Sequence, residues 1–219
     1  MKILLLHAHP EPKSFTSALK DTAVEFFIQR GDEVIVSDLY QMNFNPVGVQ
    51  SDFKSRANKE YFSYLKEQMN AHINNLFVDD LKAEMEKLKW ADFLLINSPL
   101  WWSTFPAILK GWFDRVIALG FAYHPREKLY ETGVFKGKKA MLCLTAGASE
   151  QAYTDEGANG DIMKVLFHIH HGILYYIGMD VLPPFIAWRA HLEPRETLEK
   201  YIDNYKQYLS NLDKLDPLF

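Results

Sequence analysis

Residues 2–20 read KILLLHAHPEPKSFTSALK, and this stretch contains one complete strand–loop–helix unit. The unbroken apolar run Ile3–Leu6 is too short for a helix and is typical of a strand buried on both faces. After a polar loop, Ser14 begins a helical stretch that continues to about Gln29, and Gly31 marks its end. Units of this kind build α/β proteins with parallel sheets.

The same alternation continues along the chain. Four more strands are predicted from apolar runs at Val34–Val36, Phe93–Ile96, Met141–Leu144 and Asp180–Leu182. Helices are predicted at Asp80–Lys89, Phe105–Ala118, Asp161–Ile177 and Pro194–Leu212. The pattern therefore predicts a doubly wound, parallel, five-stranded sheet with helices on both faces.

A single domain over residues 1–219 is expected from this length, since one α/β domain of this size is common. Residues 41–78 interrupt the alternation with a segment of mixed polarity that contains proline. Within it, Tyr61, Tyr64, Leu65 and Met69 are spaced for a short amphipathic helix. We interpret this segment as an insertion into the domain.

Composition and charge exclude several classes of protein. The chain has 24 Lys and Arg against 28 Asp and Glu, a formal charge of −4, and no basic block of the kind that binds nucleic acid. The lone Cys143 has no partner for an intramolecular disulfide, which favours a reducing compartment and a cytoplasmic location. No run of about 18 apolar residues occurs, so no membrane span is expected.

Three loops are expected to hold the chemistry, because ligands of open α/β sheets bind beyond the carboxyl ends of the strands. They are residues 8–14, 98–104 and 145–160. In the first loop, Ser14 is placed to cap a helix whose free N–H groups attract phosphate. None of the 11 glycines is two residues from another, so the dinucleotide motif G-x-G-x-x-G is absent. Either a phosphate loop rich in hydroxyl groups or a cap without a ligand fits the pattern.

The second loop is aromatic. Trp101 and Trp102 follow a strand end between Pro99 and Pro106, where they could form an apolar slot for a flat ring. The alternative is that the two tryptophans pack beneath a helix or at a subunit interface.

The third loop is rich in small residues. Ala146, Gly147 and Ala148 would let a planar ligand approach the backbone, while Thr145 and Tyr153 offer hydrogen bonds. A solvated surface loop is the other interpretation, but the length of the segment and its place after a strand favour a function.

A histidine cluster, His168, His170 and His171, lies on the helix predicted at Asp161–Ile177. His168 and His171 could share a helix face, as metal ligands sometimes do. No neighbouring Cys or acidic pattern completes a site, so we predict no metal there.

Several motifs resemble those of the NAD(P)H:quinone oxidoreductases, the DT-diaphorase group and its bacterial relatives, and the resemblance covers nearly the whole chain. They are AHPEPKSF at 8–15, SDLYQMNFNPV at 37–47, PAILKGWFDRV at 106–116, FAY at 121–123 and HGILYYIGMDVLPP at 171–184. The resemblance implies a flavodoxin-like fold and an enzyme that passes hydride from NAD(P)H to bound FAD and then to a quinone, in a site shared between the subunits of a homodimer.

The resemblance also implies roles for individual residues. Contacts to the flavin pyrophosphate are implied for His9, Ser14, Phe15 and Thr16. Contacts to the isoalloxazine ring are implied for Pro99, Leu100, Trp101, Trp102 and Ser103. The polar edge of the ring would face Thr145, Ala146, Gly147, Ala148 and Tyr153. The substrate would lie against Trp102, Ser103, Gly147 and Ala148 beneath Tyr123 and Tyr176 of the partner subunit, with Tyr153 and Asn159 as the catalytic pair.

The sequence departs from the family pattern at several of these positions. Ser103 stands where the family has a Phe beside the substrate, and Pro125 where it has a second lid Tyr. Asn159 occupies the position of the family's catalytic His. Lys13 and Ala146 each occupy a position where the family has a Thr. The nicotinamide and acceptor preferences are left open by these changes.

Three functions are compatible with the resemblance. The first is a two-electron reductase of quinones or related electrophiles. The second is a regulatory flavoprotein of a potassium-efflux system, and the third is an electron carrier that uses FMN in place of FAD. Electron carriers of that type are generally smaller and strongly acidic, so the first function is favoured.

Overall fold

A parallel sheet forms the centre of the computed structural model, which describes residues 1–219. Its strands are β1 (Lys2–His7), β2 (Glu33–Asp38), β3 (Phe93–Pro99), β4 (Lys139–Ala146), β5 (Asp180–Val181) and β6 (Phe185–Trp188). Their spatial order is β2-β1-β3-β4, and both β5 and β6 pair with β4. The prediction of a flavodoxin-like, doubly wound parallel sheet is confirmed.

The count of five strands is wrong, because the edge position beside β4 holds two short strands in succession. β5 pairs with Lys139 and Ala140, and β6 pairs with residues 143–146. Pro183 and Pro184 lie between the two strands. Proline has no N–H to donate to a ladder, so the edge strand is interrupted there. We had not predicted β6.

Helices cover both faces of the sheet. They are α1 (Phe15–Arg30), α2 (Tyr64–Asn74), α3 (Asp79–Trp90), α4 (Ala107–Val116), α5 (Ile162–Val165), α6 (Phe167–Ile169) and α7 (Arg195–Ser210). Ile3 and Leu5 of β1 pack with α1 and α7, whereas Leu4 and Leu6 face the side of α3 and α4. This alternation explains why all four positions are apolar. None of the helices combines the length and apolar character needed to span a membrane.

The predicted signals at both ends of α1 are confirmed. The Ser17 N–H donates to Ser14 Oγ over 3.1 Å, which makes Ser14 the N-cap. Gly31 ends the helix at φ +89°, a backbone conformation that favours glycine. The Ser14 cap therefore places the N-terminus of α1 at the end of the loop that follows β1.

The prediction of a single helix at Asp161–Ile177 is also wrong. The segment is divided into α5, α6 and a π-helical turn at His170–Tyr175, in which the Tyr176 N–H donates to His171 O over 3.1 Å. A π turn adds one residue to the usual repeat, so the regular 3.6-residue spacing is lost inside it. The sequence pattern gives no signal for such an insertion.

Residues 41–78 are tied to α4 by a buried ion pair. Arg115 Nη2 donates to Asp52 Oδ1 over 2.8 Å, and the two side chains are 3% and 1% exposed. Arg115 Nη1 also donates to Asn45 O over 2.6 Å. A helix is present in this segment as α2, but the predicted apolar stripe is wrong. Tyr61 lies before the helix, and both Tyr61 and Leu65 are exposed.

Candidate functional site

The carboxyl ends of β1, β3 and β4 open into a cleft of about 540 Å³. All three predicted loops contribute to its wall. The lining residues are His9, Ser14, Phe15, Thr16, Pro99, Leu100, Trp101, Thr145, Ala146, Gly147, Ala190, His191 and Leu198. The first ten of these are among the residues that the resemblance connects with the flavin.

The first loop presents hydrogen-bond donors to the cleft. Ser14 caps α1, and the N–H groups of Phe15 and Thr16 in its first turn have no partner within the chain. His9 Nδ1 accepts the Glu11 N–H over 3.0 Å, which folds the loop back on itself. Free N–H groups at a helix N-terminus favour an anion such as a phosphate.

The second loop makes a tight turn that separates its two tryptophans. Trp101 and Thr104 exchange backbone N–H···O bonds of 3.0 Å, and the residues between them, Trp102 and Ser103, have φ values of 52° and 59°. Trp101 therefore lines the cleft, whereas Trp102 stands at the tip of the turn with 97% of its surface exposed. The alternative that Trp102 packs beneath a helix of its own chain is wrong. Trp102 and Ser103 are outside the cleft wall.

The third loop adds small residues and a hydroxyl group. Thr145 Oγ1 lies 2.8 Å from Thr16 Oγ1, so it joins β4 to the start of α1. A methyl group added at Gly147 would meet only His191 Cε1, 3.9 Å away, so the backbone here is open to a ligand. Ala148 follows Gly147 but does not line the cleft.

Tyr153 and Asn159 lie on the far part of the third loop, outside the cleft wall. Tyr153 stacks on Trp188, with ring centroids 5.4 Å apart and planes at 31°. Trp188 pairs with Ala146 in the sheet, so this contact holds Tyr153 near the rim of the cleft. The Asn159 N–H donates to Ala152 O over 2.8 Å, and its side chain is exposed.

Tyr123 and Tyr176 lie together but away from the cleft. Their ring centroids are 5.7 Å apart, and both line a second cavity of about 330 Å³ with residues of α2 and α4. Burial raises the pKa of the Tyr123 hydroxyl above its ordinary value. Within one chain, these two residues are not part of the cleft that holds the other predicted residues.

Sequence reasoning missed Ala190, His191 and Leu198. Ala190 and His191 follow β6, and Leu198 lies in the first turns of α7. Because β6 itself was not predicted, nothing placed the residues after it at the carboxyl edge of the sheet. A search for a short strand after Pro184 could have found Ala190 and His191.

The histidine cluster is engaged in other contacts. His168 Nε2 lies 3.0 Å from Thr104 Oγ1, and the His171 ring stacks on Phe167 at 4.8 Å. His170 is buried, and desolvation lowers its pKa to about 4. No three His, Cys, Asp or Glu side chains come together in a way that could hold a metal ion.

Comparison with known proteins identifies the family. A family model described as a flavodoxin-like fold matches residues 1–209. The chain is 38% identical over 218 residues to a mouse ribosyldihydronicotinamide dehydrogenase [quinone], covering 99% of this chain and 94% of the relative. It is 36% identical over 219 residues to rat NAD(P)H dehydrogenase [quinone] 1, covering 100% of this chain and 80% of the relative. The chain belongs to the flavodoxin-like NAD(P)H:quinone oxidoreductase family.

A solved structure supports this family membership. A Klebsiella pneumoniae protein, whose name gives quinone reductase as an inferred activity, superimposes with a TM-score of 0.96 at 39% identity, over 100% of this chain and 87% of that chain. An NAD(P)H:quinone oxidoreductase from Methanothermobacter marburgensis matches at 27% identity with a TM-score of 0.76, over 96% of each chain. The prediction of an enzyme of the NAD(P)H dehydrogenase (quinone) kind is therefore confirmed at the level of the family.

Proposed function

We propose that the chain is a two-electron oxidoreductase that carries hydride from NAD(P)H, through bound FAD, to a quinone or a related electrophile. The observation that carries this proposal is the cleft of about 540 Å³ at the carboxyl edge of the sheet. Its size and its mix of apolar walls and a few polar groups are those of a cofactor site. Family membership supports the same chemistry.

One end of the cleft fits the phosphates of a flavin nucleotide. Ser14, Phe15 and Thr16 line this end of the cleft, and the N–H groups of Phe15 and Thr16 have no partner within the chain. A helix N-terminus adds a favourable dipole for negative charge. In this proposal His9 closes the same end of the site.

The other end fits a flat ring system. Pro99, Leu100 and Trp101 form an apolar wall, and Thr145 and Gly147 lie across from them on β4 and its loop. Bound flavin would supply the reversible two-electron chemistry. The chain holds the ring against this wall and keeps water from one of its faces.

Residues from outside the three predicted loops favour FAD over FMN. Ala190, His191 and Leu198 extend the cleft wall with residues from outside the three predicted loops. FMN ends at its first phosphate and would have no use for this extension. In this proposal the adenosine half of FAD lies against the part of the extension formed by Leu198.

The proposal gives Tyr153 and Asn159 roles at the rim of the cleft. The Tyr153 ring packs against Trp188, and in this proposal its hydroxyl group donates a hydrogen bond to the polar edge of the flavin ring. Asn159 can donate a hydrogen bond but cannot exchange a proton near neutral pH. Ala148, Trp102 and Ser103, outside the cleft wall, would contact the nicotinamide and the acceptor.

A second copy of the chain would complete the site. Tyr123 and Tyr176 line a cavity separate from the cleft, so they would reach a flavin only in a neighbouring subunit. The exposed Trp102 offers a large apolar surface that a partner could cover. We therefore propose a homodimer with two shared sites.

Purified protein tests the proposal directly. We expect FAD to be released on denaturation, and NADH or NADPH to be oxidised with a benzoquinone acceptor in a pattern of parallel initial-velocity lines. Gly147→Leu should fill the cleft and abolish flavin binding while the circular dichroism spectrum is unchanged. A folded wild-type protein that takes up neither FAD nor FMN would overturn the proposal.

A further inference from the structure

A row of buried polar side chains lies directly beneath the phosphate-binding end of the cleft. His7, the last residue of β1, is 1% exposed. Its Nδ1 atom lies 2.6 Å from Asn97 Oδ1, and its Nε2 atom lies 3.3 Å from Ser17 Oγ. Ser17 Oγ in turn lies 3.0 Å from Ser14 Oγ and donates to Glu11 O over 3.0 Å. The row connects a buried imidazole to a hydroxyl group that lines the cleft.

The hydrogen atoms in this row can be counted. Asn97 Nδ2 points to Cys143 Sγ at 3.5 Å, which leaves Asn97 Oδ1, an acceptor only, facing His7 Nδ1. Nδ1 therefore carries a hydrogen, and in the neutral ring Nε2 must accept. Ser17 has one hydroxyl hydrogen but three possible acceptors for it, namely His7 Nε2, Glu11 O and Ser14 Oγ.

With a neutral His7, the hydroxyl hydrogens of Ser17 and Ser14 point away from the cleft. A buried Nε2 without a donor is costly, so Ser17 gives its hydrogen to the ring. Ser17 Oγ then accepts from Ser14, whose hydrogen is directed inward and not toward a ligand. Glu11 O then loses the Ser17 hydroxyl as a donor and keeps the Ser14 N–H, 3.1 Å away.

With a protonated His7, the bond between His7 Nε2 and Ser17 Oγ reverses, while Nδ1–H still donates to Asn97 Oδ1. Nε2–H donates to Ser17 Oγ, and Ser17 donates to Glu11 O. Ser14 still accepts the Ser17 N–H, and its own hydrogen is free to point into the cleft. The loop then presents one more donor and a nearby positive charge, both of which favour a phosphate.

We propose that His7 is a positioning residue that takes up one proton when a flavin phosphate binds, and thereby turns the Ser17 and Ser14 hydroxyl groups toward donation to that phosphate. This inference rests on the flavin site proposed above. His7 does not touch the flavin itself, since it is buried behind Ser17.

Burial and the neighbouring charges determine the protonation state of His7 before the flavin binds. Burial is the main influence and lowers the pKa of His7 below its ordinary value of 6.5, so the ring is neutral at pH 7 before the ligand binds. The hydrogen bond to Asn97 and the charge of Asp38 on β2 oppose this effect, while Lys20 on α1 and His9 add to it. A bound anion raises the pKa of His7, and binding is therefore strongest at low pH and weakens as the pH rises through the pKa of the complex.

Calorimetric titration of flavin-free protein with FAD measures the proton directly. FAD is the suitable probe because its pyrophosphate, unlike the phosphate monoester of FMN, has no group that titrates near pH 6. Titrations at pH 7 in two buffers of different ionisation enthalpy should show uptake of up to about one proton in the wild type. In His7→Leu the uptake should fall, and the FAD affinity should fall by about tenfold. His9 is present in both proteins, so the difference belongs to His7.

Two further variants separate positioning from general damage to the fold. Ser17→Ala breaks the row without changing the strand, and it should also lower FAD affinity and proton uptake. Thr22→Val removes another hydroxyl group of α1, one that donates to Ala18 O, and should change neither. Riboflavin, which has no phosphate, should bind all four proteins equally.

The outcomes separate this inference from the function on which it rests. Equal proton uptake in the wild type and in His7→Leu, or FAD binding with no uptake, would overturn the role of His7 alone. A wild-type protein that binds neither FAD nor riboflavin would overturn the proposed function and this inference with it.

Discussion

At the scale of single residues, Tyr153 combines a packing contact with a free hydroxyl group. Its ring stacks on Trp188, and phenylalanine would keep that contact. Tyr153→Phe therefore removes only the donor that we propose faces the reduced flavin. We expect flavin reduction to slow by roughly 10-fold to 100-fold, as for the loss of one or two kcal/mol of hydrogen bonding in the transition state. Stopped-flow reduction at saturating NAD(P)H, with matched flavin occupancy, measures this rate.

Controls for Tyr153 come from the same chain. Tyr61 is 72% exposed and far from the third loop in sequence, so Tyr61→Phe should leave the rate unchanged. Asn159→Ala should slow reduction less than Tyr153→Phe. An unchanged rate in Tyr153→Phe removes this residue from the mechanism.

His170 is a second residue whose burial has a measurable consequence. Its Nε2 atom is buried without a hydrogen-bond partner, and desolvation lowers its pKa to about 4. The unfolded chain binds a proton near pH 6.5, so the folded state loses stability as the pH falls from about 6.5 to 4, by at most roughly 3 kcal/mol. In His170→Leu, the free energy of unfolding should fall less between pH 6.5 and pH 4. Urea unfolding at pH 7 and pH 4.5 compares the two proteins.

The exposed His72 serves as the control for His170. His72→Gln should lose stability toward acid as the wild type does, because this substitution leaves the buried His170 in place. If His170→Leu lost stability toward acid as steeply as the wild type, His170 would not be the source of the slope.

At the scale of elements, two of the most recognisable motifs hold the fold together and do not line the cleft. SDLYQMNFNPV contains Pro46, and PAILKGWFDRV contains Gly111. A Cβ at Gly111 would lie 2.2 Å from Pro46 O and 2.4 Å from Pro46 Cα. Only glycine allows the segment before α2 to approach α4 this closely. The motifs occur together because their backbones are in contact.

Replacement of this glycine tests the contact. Alanine favours a helix by about 1 kcal/mol relative to glycine, but here its methyl group meets backbone atoms that cannot move away. We expect Gly111→Ala to lower the free energy of unfolding by about 1–3 kcal/mol, as in overpacked cores. Gly172, in the π-helical turn, has nothing within 4 Å of an added Cβ, so Gly172→Ala should not destabilise the protein. Denaturant unfolding of both variants would show whether the free energy of unfolding falls in Gly111→Ala but not in Gly172→Ala.

At the scale of the whole molecule, the cleft and the tyrosine pair occupy separate places on one chain. We expect light scattering to give twice the chain mass of 25.4 kDa. Mixing two inactive variants tests whether the sites are shared. Gly147→Leu lacks a usable cleft, and Tyr123→Ala combined with Tyr176→Ala lacks the lid. Their heterodimer contains one complete site, so re-equilibrated equal mixtures should recover about a quarter of wild-type activity.

The same mixture gives a different result if each site lies within one chain. If the lid and the cleft came from the same chain, a heterodimer would contain no complete site, and the mixture would be no more active than the average of its parents. A monomer of 25.4 kDa with full activity would exclude a shared site altogether.

Local sequence signals were sufficient for much of the architecture. The run Ile3–Leu6, the cap at Ser14 and the stop at Gly31 each depend on neighbouring residues, and all three were predicted. The meeting of the three loops followed as well, because parallel strands place their carboxyl ends at one edge of the sheet. These features hold for any chain with this order of elements.

Other features depended on contacts between distant segments. β6 forms because β4 offers an open edge beyond two prolines, and His191 and Leu198 reach the cleft only after that pairing. The row His7–Asn97–Ser17 likewise depends on the pairing of β1 with β3, since His7 and Asn97 are 90 residues apart in sequence. The free energy of such contacts is not carried by any local pattern, so only the tertiary structure decided them.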